Sequence, residues 1–172
     1  MRLVVGAAVL AACLGSTEAH ARLDETLDVS VHATRGRFAM SDPSLPPLDV
    51  HGLGARVGWT LTTLRFGGDA ALHDLVGHAS GGHPFMATGE LFVAVLMDPG
   101  CLHPFVELRA HVDHVHAGDL GVTRLGLGPR VGVLVPLNDY FFLDLGFSMD
   151  LVGPETFRGA IGLGLPIPLS HL

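Results

Sequence analysis

The chain has 172 residues, 48% of them hydrophobic and 16% charged, a length that suits one domain. A net charge of −7, with every basic residue an arginine and no basic patch interleaved with aromatics, excludes a nucleic-acid partner. Beyond the amino terminus no apolar run reaches the roughly 20 residues of a membrane-spanning helix, so the apolar residues are interleaved with polar ones.

Met1 to Ala21 reads as a secretory signal: Arg2, an apolar run from Leu3 to Leu14, and an A-x-A cleavage site at Ala19-His20-Ala21. The mature chain then starts at Arg22 and forms a single domain over 22–172. The alternative is a lipobox at Leu10-Ala11-Ala12-Cys13, with Cys13 lipidated. Both readings export the chain. Losing the leader leaves Cys101 without an intramolecular disulfide partner.

Eight strands follow, each with one apolar parity. The first, Leu27 to Thr34, sets Leu27, Val29, Val31 and Ala33 against Asp28, Ser30, His32 and Thr34. A polar stretch, 35–51, holds Pro43, Pro46 and Pro47 and reads as a loop. The second strand, Gly52 to Leu64, opens with a Gly-Leu-Gly-x-Arg-Val-Gly pattern that recurs at Gly126 to Gly132. A turn at 65–68 leads to a third strand over Asp69 to Val76, and a loop at 77–84 to a fourth over Phe85 to Met97. The fifth runs from Phe105 to about His114. The last three, in 121–135, 140–151 and 158–165, repeat the alternation of apolar residues with glycine and charge. Connections 35–51, 77–84, 115–120 and 152–156 are longer or more polar, and 65–68, 98–103 and 136–139 are short turns.

The charges gather on one parity: Arg56, Glu90, Glu107, Arg109, Asp113, Arg124, Arg130, Asp144, Asp150 and Arg158. Their signs balance, as an interior ion-pair network requires, and a solvated face would carry lysine. Glycines on the same parity leave room for arginine side chains inside a narrow tube. The predicted fold class is therefore all-β: an eight-stranded antiparallel up-and-down meander closed into a barrel, charged inside and apolar outside, and transmembrane after removal of the signal peptide.

With this strand count and alternation, the chain resembles the small eight-stranded outer-membrane β-barrels of the OmpA/OmpX type. The resemblance implies an outer-membrane location, lipid partners, and a structural or surface-interaction role. It departs from that type in ending at Leu172, without a terminal aromatic residue. An eight-stranded interior is filled by its own side chains, which argues against a general diffusion pore. The loop 35–51 is the candidate surface for an extracellular ligand.

Two alternatives remain open at this stage. A soluble periplasmic lipocalin-like barrel would turn the apolar parity inward around a small apolar ligand. A lipid A deacylase-like enzyme would use His78, Ser80 and Glu90 as base, nucleophile and orienting carboxylate, although such enzymes carry Asn after the Ser where this chain has Gly81. Of the metal-capable residues His111, Asp113, His114 and His116, the first pair and the second pair fall on opposite faces of a regular strand, so only a bulge could join them on one ion. No cofactor is expected, and the sequence sets no oligomeric state.

Overall fold

Period-two alternation becomes strand throughout. The computed structural model describes residues 25–39, 47–77, 84–97, 102–117, 120–152 and 156–169; the predicted signal segment lies outside them. The strands are β1 (Thr26–Phe38), β2 (Leu48–Leu61), β3 (Leu64–Val76), β4 (Phe85–Leu96), β5 (His103–Ala117), β6 (Leu120–Asn138), β7 (Phe141–Met149) and β8 (Thr156–Pro168). Each pairs antiparallel with its sequence neighbours, and β8 closes onto β1. The result is a closed eight-stranded meander barrel, the predicted fold class.

The register fixes the shape of the tube. The pairing row from Thr26 passes through Thr60, Arg65, Ala94, Glu107, Arg130, Ser148 and Arg158, and returns to β1 at Gly36. It re-enters β1 ten residues from its start, between Thr26 and Gly36. With ordinary strand spacing, that shear tilts the strands by about 40° and gives a backbone radius of about 8 Å.

Several predicted boundaries move. The expected turn at 65–68 is strand: β3 starts at Leu64, and the turn is Thr62-Thr63, with Thr62 at a φ of 56°. Much of the expected loop 35–51 is also strand, because β1 runs to Phe38 and β2 starts at Leu48. The expected connection 115–120 shrinks to two residues, since Ala117 pairs with Leu120 across the hairpin. The expected turn at 136–139 is mostly the end of β6. A register shift there, between Pro136 and Asn138, absorbs the proline, which has no N–H to donate to the ladder.

Two ends can be told apart. The turn end holds Thr26, Pro168 and the β2–β3, β4–β5 and β6–β7 connections; the loop end holds the other four. At the turn end, the Asn138 side-chain oxygen accepts the N–H groups of Tyr140 and Phe141 at 2.8 and 2.9 Å, closing the β6–β7 turn. Inside, apolar clusters cap both ends: Leu96, Phe105, Leu134 and Phe142 at the turn end, and Phe38, Val50, Leu75 and Met86 at the loop end.

Candidate functional site

Between those two caps lies a layer of ion pairs, built by inward positions of all eight strands. Arg56 of β2 is its hub: its guanidinium donates to Asp69 at 3.0 Å, Glu90 at 3.0 Å and Glu107 at 2.9 Å. Arg109 donates to Glu90 at 2.8 Å and to Asp150 at 2.6 Å. Arg130 donates to Asp144 at 2.6 Å and lies 3.5 Å from Glu107. Arg158 donates to Asp113 at 3.3 Å, and Asp113 also accepts from the Thr88 hydroxyl at 2.7 Å. Arg65 pairs with Asp28 through two guanidinium nitrogens, one of them at 3.0 Å.

Histidines fill the gaps. His111 places Nε2 3.4 Å from Asp113 and 3.5 Å from Asp150, and His32 lies 3.6 Å from Asp69. Aromatic rings pack against the layer from the turn-end side: Arg56 sits 4.3 Å over the Phe92 ring, and Arg130 sits 4.9 Å over Phe105. Glycine makes the room. A Cβ on Gly58 would stand 2.7 Å from Arg65 Nε and from Asp28 Oδ2, and one on Gly146 would stand 2.5 Å from Arg130 Nε. Any side chain at either position would push an ion pair apart.

Nine of the ten charged residues singled out in the sequence lie buried in this layer. The tenth, Arg124, is half-buried near the loop end, with its guanidinium 4.9 Å over the Phe38 ring and no ion pair among the described residues. Sequence reasoning left out of the network Asp28, Arg65, Asp69, His32 and His73. Arg65 was hidden inside a predicted turn, and the signal that could have found it is the flanking pair Leu64 and Phe66, which continues the outward apolar parity.

The interior leaves space for little else. The void inside the layer, lined by residues including His32, Arg56, His73 and Arg158, has a volume of about 30 Å³, enough for one or two water molecules. Several guanidinium nitrogens beside it, among them Arg109 Nε and Arg158 Nε, have no protein hydrogen-bond partner, and water suits them. This corrects the lipocalin-like alternative. The apolar parity faces outward, and the interior offers ion pairs where that alternative needs an apolar cavity.

Of the candidate catalytic residues, His78 and Ser80 lie outside the described residues, and Glu90 points into the tube, engaged by Arg56 and Arg109. The candidate metal set is split. His111 and Asp113 face inward, and His114 and His116 face outward, because β5 keeps an unshifted register with both neighbours. No group that could hold a metal ion exists among the described residues.

The outer wall is the opposite of the interior. Leu53 and Leu91 are each 72% exposed and Leu125 is 74% exposed, within a belt of Val, Leu, Ile and Phe that runs around all eight strands. A continuous apolar belt of this size is not the surface of a water-soluble monomer. On β2 it covers Leu53, Ala55, Val57, Trp59 and Leu61, nine residues of strand, which at this tilt is roughly 20–25 Å. Trp59 stacks on Phe66 with ring centroids 6.0 Å apart toward the turn end. Phe147 and Phe157 stand 6.0 Å apart toward the loop end. Beyond them the outer wall turns polar, with Arg35, Arg37, Asp49, His51, Asp74, His114 and His116 all exposed at the loop end.

No protein-family model and no curated protein matches the chain. Solved structures do match its fold. The barrel is similar to Neisserial surface protein A, with a TM-score of 0.69 and 17% identity over 81% of this chain and 96% of that one. It is also similar to the Yersinia pestis outer membrane protein Ail in a phospholipid bilayer nanodisc, with a TM-score of 0.55 and 10% identity over 84% of this chain and 100% of that one. A de novo designed transmembrane β-barrel matches with a TM-score of 0.53 and 12% identity over 84% of this chain and 97% of that one. At these identities, the shared property is the fold.

Proposed function

We propose that this protein is an outer-membrane β-barrel with a structural or surface-interaction role and a sealed interior, not a general diffusion pore and not an enzyme. One observation carries the reading: the apolar parity forms an exposed belt of membrane height while every buried charge sits inside. The likeness in fold to a Neisserial surface protein and to a barrel held in a phospholipid nanodisc supports it. The belt stops short of the loop end, where the exposed polar collar suits water and lipid headgroups. In this orientation the short turns face the periplasm, and the proline-containing connection after β1 faces outward, where an extracellular ligand would meet it.

The test is heat-modifiable electrophoretic mobility of the protein extracted from outer membranes with detergent, together with planar-bilayer recording. The expected result is a compact species that shifts only on boiling, and no steady conductance. Recovery in the soluble periplasmic fraction would overturn the membrane location, and a stable open channel would overturn the sealed interior.

A further inference from the structure

The outer wall carries a trough at the closure of the barrel, where β7, β8, β1 and β2 meet. Its upper part is a hollow of about 420 Å³ lined by Arg35, Arg37, Phe147, Phe157 and Gly159, among others. The pairing rows explain the hollow. Phe147, Gly159 and Arg35 are successive neighbours in one row, so the row drops from a ring to no side chain and rises again to a guanidinium. Phe157 and Arg37 are neighbours in the next row toward the loop end.

Gly159 is an open notch. A Cβ built there meets nothing nearer than the Arg35 carbonyl oxygen, at 3.8 Å. One row toward the middle of the barrel, Ile161, Ala33 and Leu53 continue the trough into a second apolar hollow of about 610 Å³. The small Ala33 between two larger side chains keeps the channel open along β1. The trough is therefore headed by Arg35 and Arg37, with Asp49 beside Arg37, and floored by apolar groups for the rest of its length.

Two arginines on one strand, two residues apart, present adjacent donor forks above an apolar channel. Among the described residues, no ion pair engages Arg35. Arg37 lies 3.7 Å from Asp49, but both side chains of that pair are more than half exposed, so a stronger anion can take the guanidinium. Resting on the membrane location proposed above, we infer that this trough binds one phosphorylated lipid of the loop-side leaflet, its phosphate between Arg35 and Arg37 and an acyl chain along Gly159, Ile161 and Ala33. The phosphate satisfies both forks, and the chain fills a groove that the wall leaves open. A protein partner would need a complementary apolar ridge at membrane depth. A second copy of this barrel would bring a second pair of arginines against the first.

The test is native mass spectrometry of the barrel folded in an uncharged detergent. It is offered dioleoyl phosphatidic acid or dioleoylglycerol, which share acyl chains and differ in the phosphate. The expected result is one retained phosphatidic acid per barrel, preferred by about tenfold or more. Arg35→Gln with Arg37→Gln should abolish the preference. Gly159→Leu should lower retention as far with the charges intact, because the added side chain occupies the channel. Millimolar inorganic phosphate should displace nothing.

Equal retention of the two lipids, or retention unmoved by both variants, overturns the inference. Displacement by inorganic phosphate reduces the site to a headgroup anion site and also overturns it. Heat-modifiable mobility of each sample is read in parallel. A wild-type chain that forms no heat-modifiable species would bring down the membrane location, and this inference with it, whereas a folded barrel with no lipid preference brings down this inference alone.

Discussion

The waist of the tube and its loop-end rim are built from the same strands with opposite polarity. At the waist, Arg56, Glu90, Arg109 and Asp144 point inward while Leu91, Val57 and Leu145 point outward. At the rim, Phe38, Val50, Leu75 and Met86 point inward while Arg37, Asp49, Asp74 and His116 point outward. Each strand keeps its parity, and only the chemistry changes hands. At these positions the rim has the polarity of a water-soluble barrel, although Val76 and Phe85 still face outward beside them, and the waist is inverted. The level at which the alternation changes sign marks a boundary between two solvents.

The waist depends most on Arg56. This guanidinium is 4% exposed and bonds to three carboxylates, so its removal leaves Asp69, Glu90 and Glu107 close together without their shared cation. Breaking such a buried set typically costs about 3–5 kcal/mol. Arg56→Met is therefore expected to lower the unfolding free energy of vesicle-embedded protein by that amount in a urea titration read from the emission of the single tryptophan, Trp59. Adding Glu107→Met should recover part of the loss, since Glu107 makes two hydrogen bonds to Arg56 and its removal relieves the uncompensated charge. A double variant no more stable than the single one would show that the pair is not coupled, and that the interior is a filler of polar groups in place of a network.

The same inversion explains how much was legible in the sequence. Strand number, closure order and inward charge were readable because a charge facing lipid is costly, and that cost sorts residues strictly by parity over the waist. Past the change of sign, the pattern looks like its own end. Arg35 and Arg37 read as loop because a polar residue stands where an apolar one is expected, yet Gly36 and Phe38 continue the inward parity to the end of β1. The cluster at His111 to His116 straddles the change on β5, which is why two of its members face in and two face out. Arg65 was lost for another reason. Gly67-Gly68 carries a turn signal, but Gly67 sits where a Cβ would run into the Val57 carbonyl oxygen of β2, so it marks close approach of two strands. Sequence alone cannot separate those two uses of glycine. The trough at Gly159 was equally illegible, because it exists only across β7, β8 and β1, and closure of the barrel brings them together.

A charge scan of the outer wall would map the boundary between waist and rim. Leu91 lies mid-strand on β4 and is among the most exposed leucines of the belt. Leu91→Arg places a cation near the middle of the hydrocarbon and should cost about 2–4 kcal/mol in the same urea titration. His51, outward on β2 just past Leu53, already belongs to the polar collar. His51→Arg should cost only about 0–1 kcal/mol, the amount expected at an interface. The difference between the two variants carries the information, since both add one arginine to the same wall. In detergent-free water a soluble barrel would tolerate both equally, because each side chain would simply enter solvent. Equal small costs in vesicles would therefore place the whole belt outside the hydrocarbon, and equal large costs would place the rim within it. A large cost at Leu91 beside a small one at His51 puts the membrane boundary between the row of Leu91, which crosses β2 at Val57, and the row of His51, the interval in which the alternation changes sign on this strand.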